Sequence, residues 1–303
     1  MMQTIKDVPE EDIVVGGGPL CAGCPAVIGF KLALKALGKK TIIINASGCF
    51  TLFVTYPWMP VKAPWIHNAI ENAGATASGI YRALKILKKE KDATIMIYAG
   101  DGATYDIGLQ SLSGAITRGE KFIYISYNNQ CFSNTGVQMS SATPFGARTT
   151  TTPPGRKNPL GNIYHPKPIA KMMADQGAAY VATASIGYPL DYMNKLLKAK
   201  EKKNQPAFID LLCPCPPGWG FNHSKTIELA KLAVDTGAWP LYEIYHGKFM
   251  LTYKPTKLKP IEKYMEMQER FRHLKKKDIS KIQKWVNEQW LSLTLGRYWE
   301  GFK

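Results

Sequence analysis

Long apolar runs are missing from this sequence. Its most apolar stretches, "ATIMIYAG" and "TIIINA", are strand-length and far too short for a membrane-crossing helix. The opening residues, "MMQTIKDVPEEDIV", lack the charged, apolar and small-residue succession of a secretory leader, so a cytoplasmic protein is expected, with no membrane partner. Acidic residues are scarce: 23 Asp and Glu face 39 Lys and Arg, leaving a net charge of +16. The excess is spread over "KALGKK", "KILKKEKD", "KAKEKK" and "RHLKKKD", on amphipathic helices or at their ends. No recognition helix or interleaving of aromatic with basic residues accompanies it, so nucleic acid is not expected as a partner. A solvated face that steers an acidic protein or a phosphorylated substrate is the simpler reading. Cysteine is sparse too. Six cysteines in a reducing compartment stay thiols, which excludes a disulfide scaffold.

What remains is a chain of 303 residues, long enough for one large α/β domain or two smaller ones. Apolar strand-length runs recur at 41–46, 93–100, 121–128, 179–184 and 206–213. Helical patterns fall between and around them at 24–37, 68–88, 107–118, 168–176, 189–200 and 226–235. Near-continuous apolar strands alternating with helices predict a doubly wound parallel sheet covered on both faces. Residues 140–162, "SSATPFGARTTTTPPGRKNPLGN", fit no element, and a loop of that length is expected to be functional or an interaction arm. After about residue 251 the chain turns lysine-rich and ends in an aromatic tail, "ISKIQKWVNEQWLSLTLGRYWEGF", which reads as extension helices that pack on a partner or back on the domain.

The most informative stretch is "YAGDGATYDIGLQSLSGA", residues 98–115. A buried strand runs into Gly100-Asp101-Gly102, and a helix is predicted from near Ile107. Glycines at the carboxyl end of a parallel strand let backbone N–H groups approach a phosphate, and a following helix N-terminus favours an anion. Asp101 would then carry a divalent metal that bridges to that anion. After 25 intervening residues comes Asn128-Asn129, at the end of the next strand. Mg²⁺ takes few protein oxygens and completes its octahedron with diphosphate and water. Asp101, the Asn129 amide oxygen and a main-chain carbonyl a step or two further on suit it. Gly-Asp-Gly followed at this spacing by Asn is the thiamine-diphosphate signature.

Four cysteines occupy loop positions: Cys21 and Cys24 in "PLCAGCP", Cys49 after one strand, and Cys215 after another. Converging thiolates hold either zinc or an iron–sulfur cluster, and spacing alone leaves both open. "CPC" cannot comfortably give both of its cysteines to one centre, so either Cys213 or Cys215 is extra.

Taken together, "CAGC", "SGCF", "PWIHNAIENAGATASG", "GDGATYDIGLQSLSGA", "NTGVQMSSATPFGA", "CPCPPGW" and "AVDTGAWPLYEI" resemble the β subunit of the 2-oxoacid:ferredoxin oxidoreductases, the pyruvate enzymes above all. The likeness runs in order from about residue 15 to 275. It implies a thiamine-diphosphate enzyme that oxidatively decarboxylates a 2-oxoacid and passes electrons singly through a proximal [4Fe–4S] cluster to ferredoxin. By the resemblance, Cys21, Cys24, Cys49 and Cys215 hold that cluster, and Asp101, Asn129 and the main-chain oxygen of Cys131 hold Mg²⁺. Asn134 faces the reacting end of the cofactor and is the catalytic candidate. Gly48, His67, Gly100, Asp101, Gly102, Ala103, Asn129, Asn134 and Thr135 form the cofactor-facing set. The implied fold is the diphosphate-type thiamine-binding domain with its cluster over residues 1–250, followed by a helical C-terminal extension, 251–303. The resemblance also implies an obligate hetero-oligomer: an α subunit brings the second thiamine domain, a δ unit carries further clusters, and a γ unit helps bind coenzyme A.

The sequence departs from that pattern at Gly17-Gly18, where Gly-His is usual, and at Asn128-Asn129-Gln130, where Asp-Asn-Glu is usual. The following small-plus-aromatic pair is Cys131-Phe132. A less negative pocket would suit a second carboxylate on the substrate, which makes oxalate the alternative to pyruvate. A non-oxidative thiamine lyase with structural zinc is the further alternative. Among the histidines, His67 could face the cofactor and His223 the cluster's surroundings, while His165, His246 and His273 read as surface or loop residues.

Overall fold

Strands that are apolar on both sides need cover on both sides, and this sheet has it. The computed structural model describes residue 2, residues 4–201 and residues 205–297. Eight strands form one sheet: β1 (Thr41–Ala46), β2 (Trp65–Asn68), β3 (Thr94–Gly100), β4 (Ile123–Asn128), β5 (Tyr180–Ser185), β6 (Ala207–Leu212), β7 (Tyr242–Tyr245) and β8 (Lys248–Leu251). Their order is β2-β1-β3-β4-β6-β5-β7-β8. Pairing is parallel from β2 through β5 and antiparallel for the β7–β8 edge. The helices are α1 (Pro25–Leu37), α2 (Ala73–Ile86), α3 (Leu109–Thr117), α4 (Ile169–Asp175), α5 (Pro189–Glu201), α6 (Pro216–Trp219), α7 (Thr226–Asp235), α8 (Ile261–Glu266) and α9 (Lys276–Thr294).

Period-two alternation sorts each strand between two cores. Ile43, Met96, Tyr98, Ile125 and Ile209 meet Phe30 and Leu34 of α1 and Tyr192 and Leu196 of α5. Ile44, Ile95, Ile97, Tyr124 and Phe208 face the other way, toward Ala77 of α2, Leu112 of α3 and Met173 of α4. A third cluster joins Trp219, Leu229, Ile261, Tyr264, Phe271 and Val286, so α8 and α9 pack back against α6 and α7. Trp285 and Trp290 are half-buried. The last aromatics of the tail, Tyr298, Trp299 and Phe302, lie outside the described residues. Among the described residues no helix is long and apolar enough to cross a membrane.

The five predicted strands are present, and three more were not foreseen. β2 occupies the start of the predicted 68–88 helix, which begins instead at Ala73. The predicted 107–118 helix is preceded by a wide π-type coil over Gly102–Ile107, closed by the Gly108 N–H donating to Ala103 O at 2.9 Å. Residues 140–162 carry no regular element, yet they are not a free arm. Ala142, Thr143, Ala147, Thr149 and Asn162 are buried, and the Asn162 amide donates to the carbonyls of Thr143, Pro144 and Tyr164.

Candidate active site

β1, β3 and β4 are neighbours and parallel, so the loops that follow them open at one sheet edge. They enclose a cleft of about 330 Å³. Gly48, Gly100, Asp101, Gly102, Ala103, Asn129, Asn134 and Thr135 line it, together with Cys49 and Cys131. Asn134 and Thr135 stand exposed at its rim. His67 lies one layer back on β2, its Nε2 3.2 Å from Ser47 Oγ and 3.0 Å from Thr51 Oγ1, both of which line the cleft.

Two glycines are required by space. A Cβ on Gly102 would overlap the Phe132 ring, and one on Gly48 would stand 2.9 Å from the Tyr127 hydroxyl. With no side chains there, the cleft floor is bare backbone at the start of a helical coil, the arrangement that receives a diphosphate.

Asp101 is fully buried at that floor. The Asn129 N–H donates to its Oδ1 at 3.1 Å and the Ser140 hydroxyl to its Oδ2. Burial pushes its carboxyl up to about 7 against the pull of those donors. The Asn129 amide oxygen lies 2.8 Å from Asp101 Oδ1 and 2.7 Å from the Cys131 carbonyl oxygen, with no proton between them. Turned over, the amide would donate to both. In the first orientation the three oxygens would suit a hard divalent cation; in the second the amide satisfies both acceptors itself.

Asn128 and Gln130, the neutral residues of this loop, turn away from the cleft. The Asn128 amide donates to Tyr105 Oη at 2.8 Å and Asp210 Oδ1 at 3.3 Å, and Gln130 Oε1 accepts from Arg270 at 2.8 Å. Neither side chain lines the cleft itself.

The cysteines gather beside the cleft. Cys24 caps α1, Cys49 follows β1 and lines the cleft, and Cys215 caps α6, its Sγ accepting from the Gly218 N–H at 3.4 Å. The charges of Cys21, Cys24, Cys49 and Cys215 register on one another in every pairing. Burial, reinforced by that mutual repulsion, pushes Cys49 up to about 12 and Cys215 to about 11. They are neutral thiols until a cation draws the protons off. Cys213 belongs elsewhere: it continues the inward-facing row of β6 and is buried in the core with Ile209 and Leu211. Among the described residues, no three His, Cys, Asp or Glu side chains meet as ligands of one metal ion. His223 does lie against the CxxC loop, since a Cβ on Gly23 would stand 2.7 Å from its carbonyl oxygen. His165 is exposed in a loop, as expected, and its ring stacks between Phe145 and Trp285 with ring centroids 5.2 and 4.4 Å away.

Several supporting residues have no signal in the sequence. Trp219 Nε1–H donates to Asn129 O at 2.7 Å, tying the Cys215 helix to the metal loop. The Ser141 N–H donates to Asp106 Oδ2 at 3.0 Å and anchors the long loop to the π-type coil. These contacts join segments 35–90 residues apart. A motif scan does not see them.

A family model described as thiamine pyrophosphate enzyme, C-terminal TPP binding domain, matches residues 46–211. The chain is 50% identical over 281 residues to the pyruvate synthase subunit PorB of Methanothermobacter thermautotrophicus, covering 92% of this chain and 96% of that one. It is 43% identical over 290 residues to the ketoisovalerate oxidoreductase subunit VorB of Pyrococcus furiosus, covering 93% of each. The same fold appears in a solved 2-oxoglutarate:ferredoxin oxidoreductase from Magnetococcus marinus, with a TM-score of 0.57 at 20% identity over 96% of this chain and 94% of that chain.

Proposed function

Because the chain belongs to the family of thiamine pyrophosphate enzymes that includes the PorB and VorB subunits, we propose that it is the β subunit of a cytoplasmic pyruvate:ferredoxin oxidoreductase. The 50% identity to a pyruvate synthase subunit supports pyruvate as the substrate. Thiamine diphosphate, when bound, supplies the electron sink that lets a 2-oxoacid lose CO₂. Its diphosphate fits the bare backbone of Gly100, Gly102 and Gly48, and Mg²⁺ fits the oxygens of Asp101, Asn129 and Cys131. Ser140 and the Asn129 N–H orient the Asp101 carboxylate toward that ion. Asn134, at the rim, is placed to orient the substrate over the cleft.

One observation carries the oxidative reading: Cys49 lines the cleft while sharing its electrostatic surroundings with Cys21, Cys24 and Cys215. A [4Fe–4S] cluster on these four would touch the cofactor's own pocket, as single-electron removal requires. The exposed rim is where the α subunit would bring the second half of the thiamine site, with ferredoxin the electron acceptor.

The test is iron and acid-labile sulfide analysis on the complex purified anaerobically with its partner subunits. About four of each per β chain, beyond those of the partners, are expected. Cys215→Ser should lose them, whereas Cys213→Ala should keep them. Zinc without sulfide would leave a non-oxidative lyase. Equal or faster turnover of oxalate would remove pyruvate.

A further inference from the structure

Arg270 is a buried cation with no ion-pair partner among the described residues. It is 3% exposed. Its guanidinium lies over the Trp219 ring at 3.6 Å, Nε donates to Gln268 Oε1 at 2.8 Å, and Nη2 donates to Gln130 Oε1 at 2.8 Å and Tyr264 Oη at 3.5 Å. Every one of these partners is neutral. The neighbouring carboxylate, Glu269, pairs with Arg272 instead. The arginines in ion pairs among the described residues are Arg82, Arg118 and Arg272. Burial lowers the Arg270 pKa to about 10, so the group stays charged at neutral pH. An isolated charge in the interior is strongly disfavoured unless an opposite charge lies near it.

The surroundings show which charge that is. Trp219, beneath the guanidinium, ends the short helix that Cys215 caps. Gln130, the acceptor of Nη2, directly precedes Cys131. Gly218 fits between the two sulfurs, where a Cβ would be 3.1 Å from Cys215 Sγ and 3.3 Å from Cys131 Sγ. Once deprotonated, Cys131 and Cys215 would bring negative charge to bear on Arg270.

We infer that Arg270 is the fixed counter-charge of the cysteine-bound centre and raises its reduction potential. The inference rests on the cluster reading above. A [4Fe–4S]²⁺ core with four thiolates carries a charge of about −2, and taking up one electron makes it about −3 with no proton bound. The electron is the one released by 2-oxoacid oxidation in turnover, or by dithionite in a titration. A buried cation favours the more negative state, and low polarity around it leaves that attraction poorly screened. Arg270 touches no reacting atom, so its role is a tuning one.

The experiment is an EPR-monitored redox titration of the anaerobically purified complex, reading the signal that Cys215→Ser abolishes. Arg270→Gln removes the charge, and Arg270→Lys keeps it. Gln130→Glu places a carboxylate where Gln130 Oε1 already accepts from Arg270, cancelling the charge while preserving the packing. Arg270→Gln and Gln130→Glu should make reduction about tenfold less favourable, a midpoint about 59 mV lower. Arg270→Lys should stay near wild type. Should iron and sulfide be retained while the midpoint does not move in either charge-cancelling variant, Arg270 only braces the C-terminal helices and the inference is wrong. If Arg270→Gln fails to fold, Gln130→Glu decides alone. A wild-type chain without iron or sulfide would instead sink the cluster reading.

Discussion

Asp210 shows how a single residue can carry a pH dependence without belonging to the cleft. It sits in the middle of β6, fully buried, accepting from the Tyr105 hydroxyl and the Asn128 amide. Burial pushes its carboxyl up to about 7, more than those donors pull it down. The folded state therefore holds a proton that the unfolded chain, with an ordinary value of 3.8, releases. The stability tied to this proton is fully present below about 4 and gone above about 7. Asp101 acts in the same direction. The metal-free complex is expected to melt at progressively lower temperature as pH rises from about 4 to 7, and Asp210→Asn should flatten that slope. An unchanged slope in the variant would show that Asp210 is ionised in the fold throughout. At this scale the sequence was legible wherever a residue's role follows from its neighbours in the chain. Gly100-Asp101-Gly102 and Asn129 announce themselves by spacing, whereas Cys213 takes its place only in the fold, in the inward row of Ile209 and Leu211. Ser140, Trp219 and Arg270 do not announce themselves either, because their partners lie 39, 90 and 140 residues away.

Among the elements, α1 does the most to place the cysteines. Pro25 starts it directly after Cys24, and Gly38 ends it with φ of 84°. Its seating on the sheet depends on Gly29, where a Cβ would stand 2.5 Å from Leu211 Cδ2 and 3.2 Å from the Tyr98 hydroxyl. Helix propensity alone favours alanine there by about 1 kcal/mol. Overpacking costs about 1–3 kcal/mol, so sterics win. Gly29→Ala should lower the unfolding free energy by that difference, roughly 0–2 kcal/mol, read from a denaturant titration, and reduce iron content as the CxxC loop is levered away from Cys49 and Cys215. A variant as stable as wild type with full iron would show that α1 can slide without moving the site. Elements were legible where burial on both faces left a continuous apolar run, as in β1, β3, β4, β5 and β6. β2 is four residues long and exists because β1 offers it an edge. The β7–β8 hairpin did carry a signal: "YEIYHGKFML" turns at His246 and Gly247, with φ of 46° and 74°, as a two-residue primed turn requires.

On the scale of the whole molecule, the chain reads as part of a larger active site. Its cleft is open, and the catalytic candidate Asn134 stands at the exposed rim. After the Cys49 turn the chain presents an apolar loop: Tyr56 is 96% exposed, Trp58 61% and Met59 53%. Aromatics left in water are what a surface covered by another chain would present. Composition points to the aromatic C-terminal tail instead, because it shows where aromatics are and not which of them the fold buries. Trp285 of that tail packs on His165. The loop at 56–59 is thus the better anchor for the subunit that completes the thiamine site. Changing Tyr56 and Trp58 together to Ser should weaken assembly with that partner on the order of tenfold or more. Stability should scarcely change, since neither side chain packs in the core. Co-purification yield and analytical ultracentrifugation of the complex would read the effect. Thiamine diphosphate should then be lost in step with the partner, because this chain holds only the diphosphate end. Undiminished assembly by the double variant would place the interface elsewhere, and retention of the cofactor by a chain stripped of its partner would show that the cleft needs no second half.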